Sequence, residues 1–184
     1  MTRLILVRHG RAAGGWDDDL DPGLDDLGRA QAEAMADLVA PRGPLPIVVS
    51  PLRRTRETSL PLEQRWGIAA TVDPAVGEIP SPPDVPMQER TTWLRTAMAG
   101  TWADIGHAYT SWRDSVVGRL VAIDTDTVVV SHFVAINAAI GAAVGSDQIV
   151  VAALDNCSQT VVDVVDGRLV LVERGFEAPD TLVR

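Results

Sequence analysis

Short continuous apolar runs alternate along this chain with stretches whose apolar residues recur at helical spacing. Leu4 to Val7 is the first run, bounded by charge and by Gly10, and predicts a strand buried on both faces. Asp25 then offers an N-cap to a helix whose apolar positions are expected at Leu27, Ala30, Ala34 and Leu38, with Val39 at the margin. Ile47 to Val49 predicts a second strand, after which Ser50-Pro51 is expected to open a second helix, since proline suits a first turn. A third strand falls near Thr71 to Val72. Four prolines between Ile79 and Pro86 exclude regular structure there. Helical segments follow at Gln88 to Ala99 and Ala108 to Ile123, then a strand at Thr127 to Val130 and a helix from Val134 to about Val144. Thr160 to Val165, Asp166-Gly167 and Leu169 to Val172 read as a hairpin with a two-residue turn. The alternation predicts an α/β fold, a three-layer α/β/α sandwich around a mostly parallel sheet, with the hairpin at a sheet edge.

Composition narrows the partners. A chain of 184 residues suffices for one domain that buries about 70% of its unfolded surface, with no need of a metal or disulfide. The net charge is −9 and all sixteen basic residues are arginine, so a nucleic acid is repelled while a small anion can still be held by a local arginine cluster. Cys157 is the single cysteine, and the apolar pattern begins at Leu4 without a signal-peptide arrangement, so the expected location is a reducing cytoplasm. The apolar stretch Val128 to Val144 is interrupted by Ser131, His132 and Asn137 and reads as strand then helix rather than a membrane span. The pattern specifies no oligomeric state.

Three strand ends carry chemistry: Arg8-His9-Gly10 after the first, Ser50-Pro51-Leu52-Arg53-Arg54 after the second, and Ser131-His132 after the fourth. Strand ends of such sheets are where functional groups gather. A neutral imidazole can attack the phosphorus of a phosphate ester and divide one displacement into two. Guanidinium forks suit the equatorial oxygens, so Arg8 and Arg54 with a protonated His132 can balance the charge without a metal. The leaving alkoxide needs a proton, and Glu78 beside the proline-rich loop is the best placed donor, with Asp73 and Asp84 as alternatives. Arg53 and Arg56 are assigned to a polar helix face, His107 to the surface, and Cys157 to packing. Trp93, Trp102 and Trp112, with Arg90 and Arg95, are either a lid that selects the non-phosphate part of a substrate or ordinary helix packing. Arg90 is therefore a candidate substrate-binding residue.

The strings LILVRHGRA, SPLRRTRET and VVVSHFVAI, with a glutamate before a variable segment, the helix DDLGRAQAEAM and the final hairpin, resemble the histidine phosphatase superfamily, the phosphoglycerate mutase-like proteins, from Leu4 to about Val172. The resemblance implies a single domain over residues 1–184 with a variable, lid-like segment at about 76–112. It also implies that His9 is the phosphorylated nucleophile, that Arg8, Arg54 and His132 form the phosphate pocket and that Glu78 is the proton donor. The activity so implied is metal-independent hydrolysis of a small phosphomonoester with no cofactor. A phosphoglycerate mutase-type phosphomutase, a protein phosphohistidine phosphatase and a non-catalytic phosphate-binding module would use the same residues. The chain departs from the phosphoglycerate-acting members after Gly10, reading Arg11-Ala12-Ala13-Gly14-Gly15-Trp16 where they carry Glu-Thr or Glu-Ser and then Asn, which weighs against the mutase.

Overall fold

The computed structural model describes residues 1–15 and 19–178, and these form one six-stranded sheet. Its strands are β1 (Thr2–Arg8), β2 (Ile47–Val49), β3 (Thr71–Val72), β4 (Thr127–Ser131), β5 (Gln159–Val165) and β6 (Arg168–Glu173). They lie in the order β3-β2-β4-β1-β5-β6. The first four in that order are mutually parallel, whereas β5 runs antiparallel to β1 and β6 antiparallel to β5. Asp166 and Gly167 join β5 to β6 with positive φ at both positions (49° and 72°), the backbone that a two-residue hairpin turn requires.

Side chains of β1 alternate between two cores, which places helices against both faces of the sheet. Leu4 and Leu6 join Val129, Leu120, Phe133, Ile136 and Ile140, the cluster covered by α5 (His107–Val121) and α6 (Phe133–Val144). Ile5 and Val7 join Val128, Val130, Met35, Val39 and Leu62, the cluster covered by α1 (Asp26–Val39) and α2 (Arg53–Trp66). Between β3 and α5 the chain forms two short helices, α3 (Arg90–Met98) and α4 (Trp102–Ile105). Leu94, Ala97 and Trp102 of these helices are buried in the first core, and Trp102 packs at a tilt on Trp112 with 5.9 Å between ring centres. Among the described residues, no helix is long and apolar enough to cross a membrane.

Two expectations from the sequence are corrected by the structure. Helix α1 forms where expected, with Asp25 accepting the Gly28 N–H at 2.7 Å, but it presents a different face. Leu27 and Leu38 are 45% and 66% exposed, and the buried stripe is Gly28, Ala32, Met35, Ala36 and Val39. Close approach explains the choice. A Cβ at Gly28 would overlap the Arg11 carbonyl oxygen, and one at Gly10 would lie 2.6 Å from the Gly28 carbonyl oxygen, so this face admits glycine where leucine would hold the helix off. Helix α2 begins at Arg53 rather than at Pro51, because the Thr55 hydroxyl donates to the Ser50 and Leu52 carbonyls and closes Ser50-Pro51-Leu52 into a turn.

Gly28→Ala is expected to cost about 1–3 kcal/mol by overpacking. Ala30→Ser on the exposed face should cost about 0.5 kcal/mol or less. Urea denaturation of the two variants checks the assignment, and equal midpoints would contradict it.

Candidate active site

Because β1, β4 and β2 are parallel neighbours, their C-terminal ends share one rim. Arg8 pairs in register with Ser131 and Val49 with Val130, so the next residues along each strand, His9, His132 and Ser50, emerge side by side. The His9 N–H donates to the Ser131 carbonyl at 3.0 Å and the Ser50 N–H to the Val130 carbonyl at 3.2 Å, which fixes both exits. Arg54 enters from the first turn of α2. Glu78 enters after the 3₁₀ turn Pro74–Val76, which the Ser131 hydroxyl holds by donating to the Val76 carbonyl at 2.7 Å.

His9 Nδ1 lies 2.7 Å from the Gly10 carbonyl oxygen, which can only accept, so Nδ1 carries the proton and Nε2 keeps its lone pair. The Arg54 Nε–H donates to that lone pair at 3.3 Å. Arg54 Nη2 also lies 3.3 Å from His132 Nδ1 and 3.5 Å from Glu78 Oε2, and His132 Nδ1 is itself 3.3 Å from Glu78 Oε2. The second glutamate oxygen accepts the Ile79 N–H at 3.0 Å. His9 and His132 meet edge to face at 5.3 Å between ring centres. Arg8 lies beneath the rim, where its Nη1 donates to the Leu154 carbonyl at 2.6 Å and its guanidinium stacks 5.0 Å from the Phe133 ring.

This crowding sets the electrostatics. Burial holds the His9 imidazole well below its ordinary pKa, and Arg54, His132 and Arg8 add to the effect, so the ring is neutral. Burial also pushes His132 down, against the upward pull of Glu78, with Arg54 and Arg8 contributing. Burial works against an ionised Glu78, but His132 first, then Arg54 and the Ile79 N–H, outweigh it and hold the carboxyl at about 2. Burial lowers Arg8 to about 10, which leaves it charged at neutral pH. Cys157 is pushed up to about 12 by burial and carries no thiolate.

His9, Glu78 and His132 offer ligand atoms within 4.8 Å of one another, a spacing a metal ion can use. The Arg54 guanidinium stands among those same atoms and Arg8 lies beside them, so a cation meets two guanidiniums there, whereas an anion is attracted by both and opposed by the Glu78 carboxylate.

Five residues marked in the sequence are thus in one cluster: Arg8, His9, Arg54, Glu78 and His132. Arg90 opens α3, and among the described residues no hydrogen bond or ion pair joins it to them. Asp73 is drawn to Arg119 and caps the 3₁₀ turn, and Asp84 is exposed, so neither alternative acid joins the cluster. Arg53, Arg56 and His107 are exposed, as expected. Arg11 pairs with Asp25 at 2.6 Å and is committed to the start of α1; Trp16 lies outside the described residues.

Several supporting residues escaped the sequence reading. Ser50 Oγ lies 2.7 Å from His132 Nε2, with both residues fully buried. The Thr58 hydroxyl accepts the Gly10 N–H at 2.9 Å, and the Asn156 amide donates to the His9 carbonyl at 2.9 Å. Ser50 opens the SPLRRTRET string and Thr58 ends it, so both were open to detection there, whereas nothing marks Asn156.

The model of the histidine phosphatase superfamily (branch 1) matches residues 4–176, and the chain belongs to that superfamily. Among its curated relatives is a glucosyl-3-phosphoglycerate phosphatase of Mycolicibacterium vanbaalenii, 33% identical over 127 residues that cover 62% of this chain and 48% of the relative. Its counterpart in Mycobacterium tuberculosis is 34% identical over 110 residues, 58% of this chain and 41% of the relative. The aligned part thus spans less than half the length of these relatives. The solved structure of a mycobacterial glucosyl-3-phosphoglycerate phosphatase with VO3 superposes with a TM-score of 0.72 at 26% identity, covering 97% of this chain and 100% of the other. A phosphoserine phosphatase of Entamoeba histolytica with 3-phosphoglyceric acid shares the fold, with a TM-score of 0.75 at 20% identity over 99% of this chain and 100% of the other.

The folded protein holds His9 and His132 below their ordinary value of 6.5 and Glu78 below 4.5, so the unfolded chain binds more protons across this range. Stability should therefore fall as pH drops through about 6.5, and fall again between about 4.5 and 2 as Glu78 is protonated. Denaturant midpoints measured at stepped pH should show both losses. His9→Asn weakens the upper one and Glu78→Gln weakens the lower, to which Glu57, Asp104 and Asp163 also contribute; a flat profile between pH 7 and 5 would contradict neutral buried histidines.

Proposed function

We propose that this protein is a metal-independent phosphatase that hydrolyses a small phosphomonoester through a phosphohistidine on His9. The observation that carries this reading is the His9 Nε2 lone pair, fixed by the Nδ1–H to Gly10 bond and directed at the Arg54 guanidinium. An atom that accepts from Arg54 in the free protein is placed to attack a phosphorus whose oxygens bind the same guanidinium.

The phosphate group enters among Arg8, Arg54 and His132, taking over the contacts that Arg54 and His132 make with Glu78. Its negative charge offsets the Arg54 guanidinium, which helps to hold the Glu78 carboxyl at about 2, and adds a like charge beside it. The carboxyl accordingly takes up a proton in the complex, which makes it an acid where the free protein holds a carboxylate. His9 Nε2 then bonds to phosphorus, the ester P–O bond breaks, and the leaving oxygen receives the Glu78 proton. In the second half Glu78 accepts a proton from water, the water oxygen attacks phosphorus, the P–N bond breaks, and phosphate leaves a neutral His9.

The chain acts as a single domain, and the segment at 76–112, which supplies Glu78, is the part that meets the non-phosphate end of the substrate. The names of the curated relatives make glucosyl-3-phosphoglycerate the first compound to test, with phosphoserine and 3-phosphoglycerate beside it.

Phosphate release should persist in a metal chelator and fall about 10³-fold or more in His9→Ala. Rapid mixing and quenching should trap phosphate on His9 of the wild type. Glu78→Gln should bind vanadate at least as tightly as wild type, since the competing carboxylate charge is gone, yet turn over slowly. Its deficit should shrink on p-nitrophenyl phosphate, whose leaving group needs little protonation. Release that survives loss of His9, or that the chelator abolishes, would overturn the mechanism.

A further inference from the structure

We propose that Ser50 is a positioning residue that sets the protonation state of His132, its hydroxyl donating to Nε2 when the ring is neutral and accepting from Nε2–H when the ring is charged. The proposal rests on the reading of His132 as a partner of bound phosphate and adds to it the group that makes its charged form tenable.

His132 is enclosed on every side. Glu78 and Arg54 face its Nδ1, His9 lies against its ring, Arg8 acts on it from β1, and Ser50 closes the Nε2 side. In the free protein the ionised Glu78 takes the Nδ1 proton, and a neutral ring needs a donor at Nε2. Ser50 meets that need. A bound phosphate dianion favours the imidazolium, whose Nε2–H then requires an acceptor in a place where both residues are fully buried. A hydroxyl can do either by rotating about its C–O bond, which neither an amide nor a carboxylate at this position could do without reorganising. The backbone of Ser50 is clamped on both sides, with its N–H donating to the Val130 carbonyl at 3.2 Å and its carbonyl accepting the Thr55 hydroxyl at 2.9 Å. The Leu52 N–H reaches Ser50 Oγ only at 3.4 Å, so His132 is the hydroxyl's one short partner among the described residues.

The test is a ¹⁵N NMR titration of the His132 ring in wild type, Ser50→Ala and Ser50→Cys, each free and saturated with inorganic phosphate. Because the hydrogen bond to the charged ring is worth more than the one to the neutral ring, its loss in Ser50→Ala should lower the His132 pKa by about one pH unit in both states. Ser50→Cys, with a weakly bonding thiol, should fall between, and its well-dispersed spectrum serves if the alanine variant unfolds. The alkaline limb of phosphate affinity should move to lower pH by the same amount. Coincident His132 titrations in wild type and both variants would overturn the proposal. If phosphate fails to raise the His132 pKa of wild type, the phosphate-pocket reading falls, while the free-protein comparison still decides the role of Ser50.

Discussion

A buried guanidinium is the constraint on which this rim depends. Arg54 is removed from water, and a charge so placed calls for an opposite charge nearby and partners for its donors; Nη1 is buried without a partner among the described residues. Its Nε finds His9, and its Nη2 lies between His132 and Glu78. Each partner is altered in return. Glu78 is held ionised in an environment that would otherwise neutralise it, and His9, facing a fixed cation, is kept from becoming one. The arrangement requires neighbouring parallel strands that end at one level, which the order β2-β4-β1 provides.

Charge is distributed on two scales. The whole chain carries −9, yet Arg8 and Arg54 concentrate guanidinium charge at the rim, offset by Glu78 and by Asp155 beside Arg8. A pocket with low-dielectric walls focuses such local charge, so overall acidity is compatible with capture of a small anion and discourages a large one. In the free protein the Glu78 carboxylate engages both Arg54 and His132, the two groups that the proposed function assigns to phosphate. Under the function proposed above, substrate binding and generation of the acid become one event, since the phosphate that displaces the carboxylate also raises its proton affinity.

Much of this was legible in the sequence because the rim residues are covalently attached to strand ends. The apolar runs at Leu4, Ile47 and Val128 announce strands, and the sheet places the residue that comes directly after each one. Arg8, His9 and His132 were found that way, whereas Arg54, in the first turn of α2, was marked by the SPLRRTRET string and its resemblance. Glu78 was legible as a carboxyl but not as an ionised one, since its charge is set by Arg54 and His132, which are 24 and 54 residues away in the chain. The face of α1 was misread because the apolar periodicity favoured leucines, whereas the interface is governed by how close two backbones come at Gly10 and Gly28. Ser50 was read as the opening of a helix and proved to be part of a turn and a histidine partner.

The remaining supports act on backbone, where sequence carries little signal. Asn137 is fully buried in α6, donates to the Phe133 and Ala152 carbonyls and accepts the N–H groups of Val151 and Ala152. It thereby anchors the loop before β5, whose Leu154 carbonyl takes the Arg8 guanidinium and whose Asn156 amide takes the His9 carbonyl. From the opposite side Thr58 of α2 holds the Gly10 N–H. The end of β1 is therefore gripped by elements from both faces of the sheet, each through a polar side chain bound to main chain. Such a grip costs little in specificity of side-chain type at the strand itself and much in mobility. With the backbone of His9 so fixed, a reaction cycle at this rim has few degrees of freedom beyond its protons. Under the function and the Ser50 role proposed above, a hydroxyl rotation at Ser50 and a proton gained by Glu78 then suffice to pass from the free site to a reactive one.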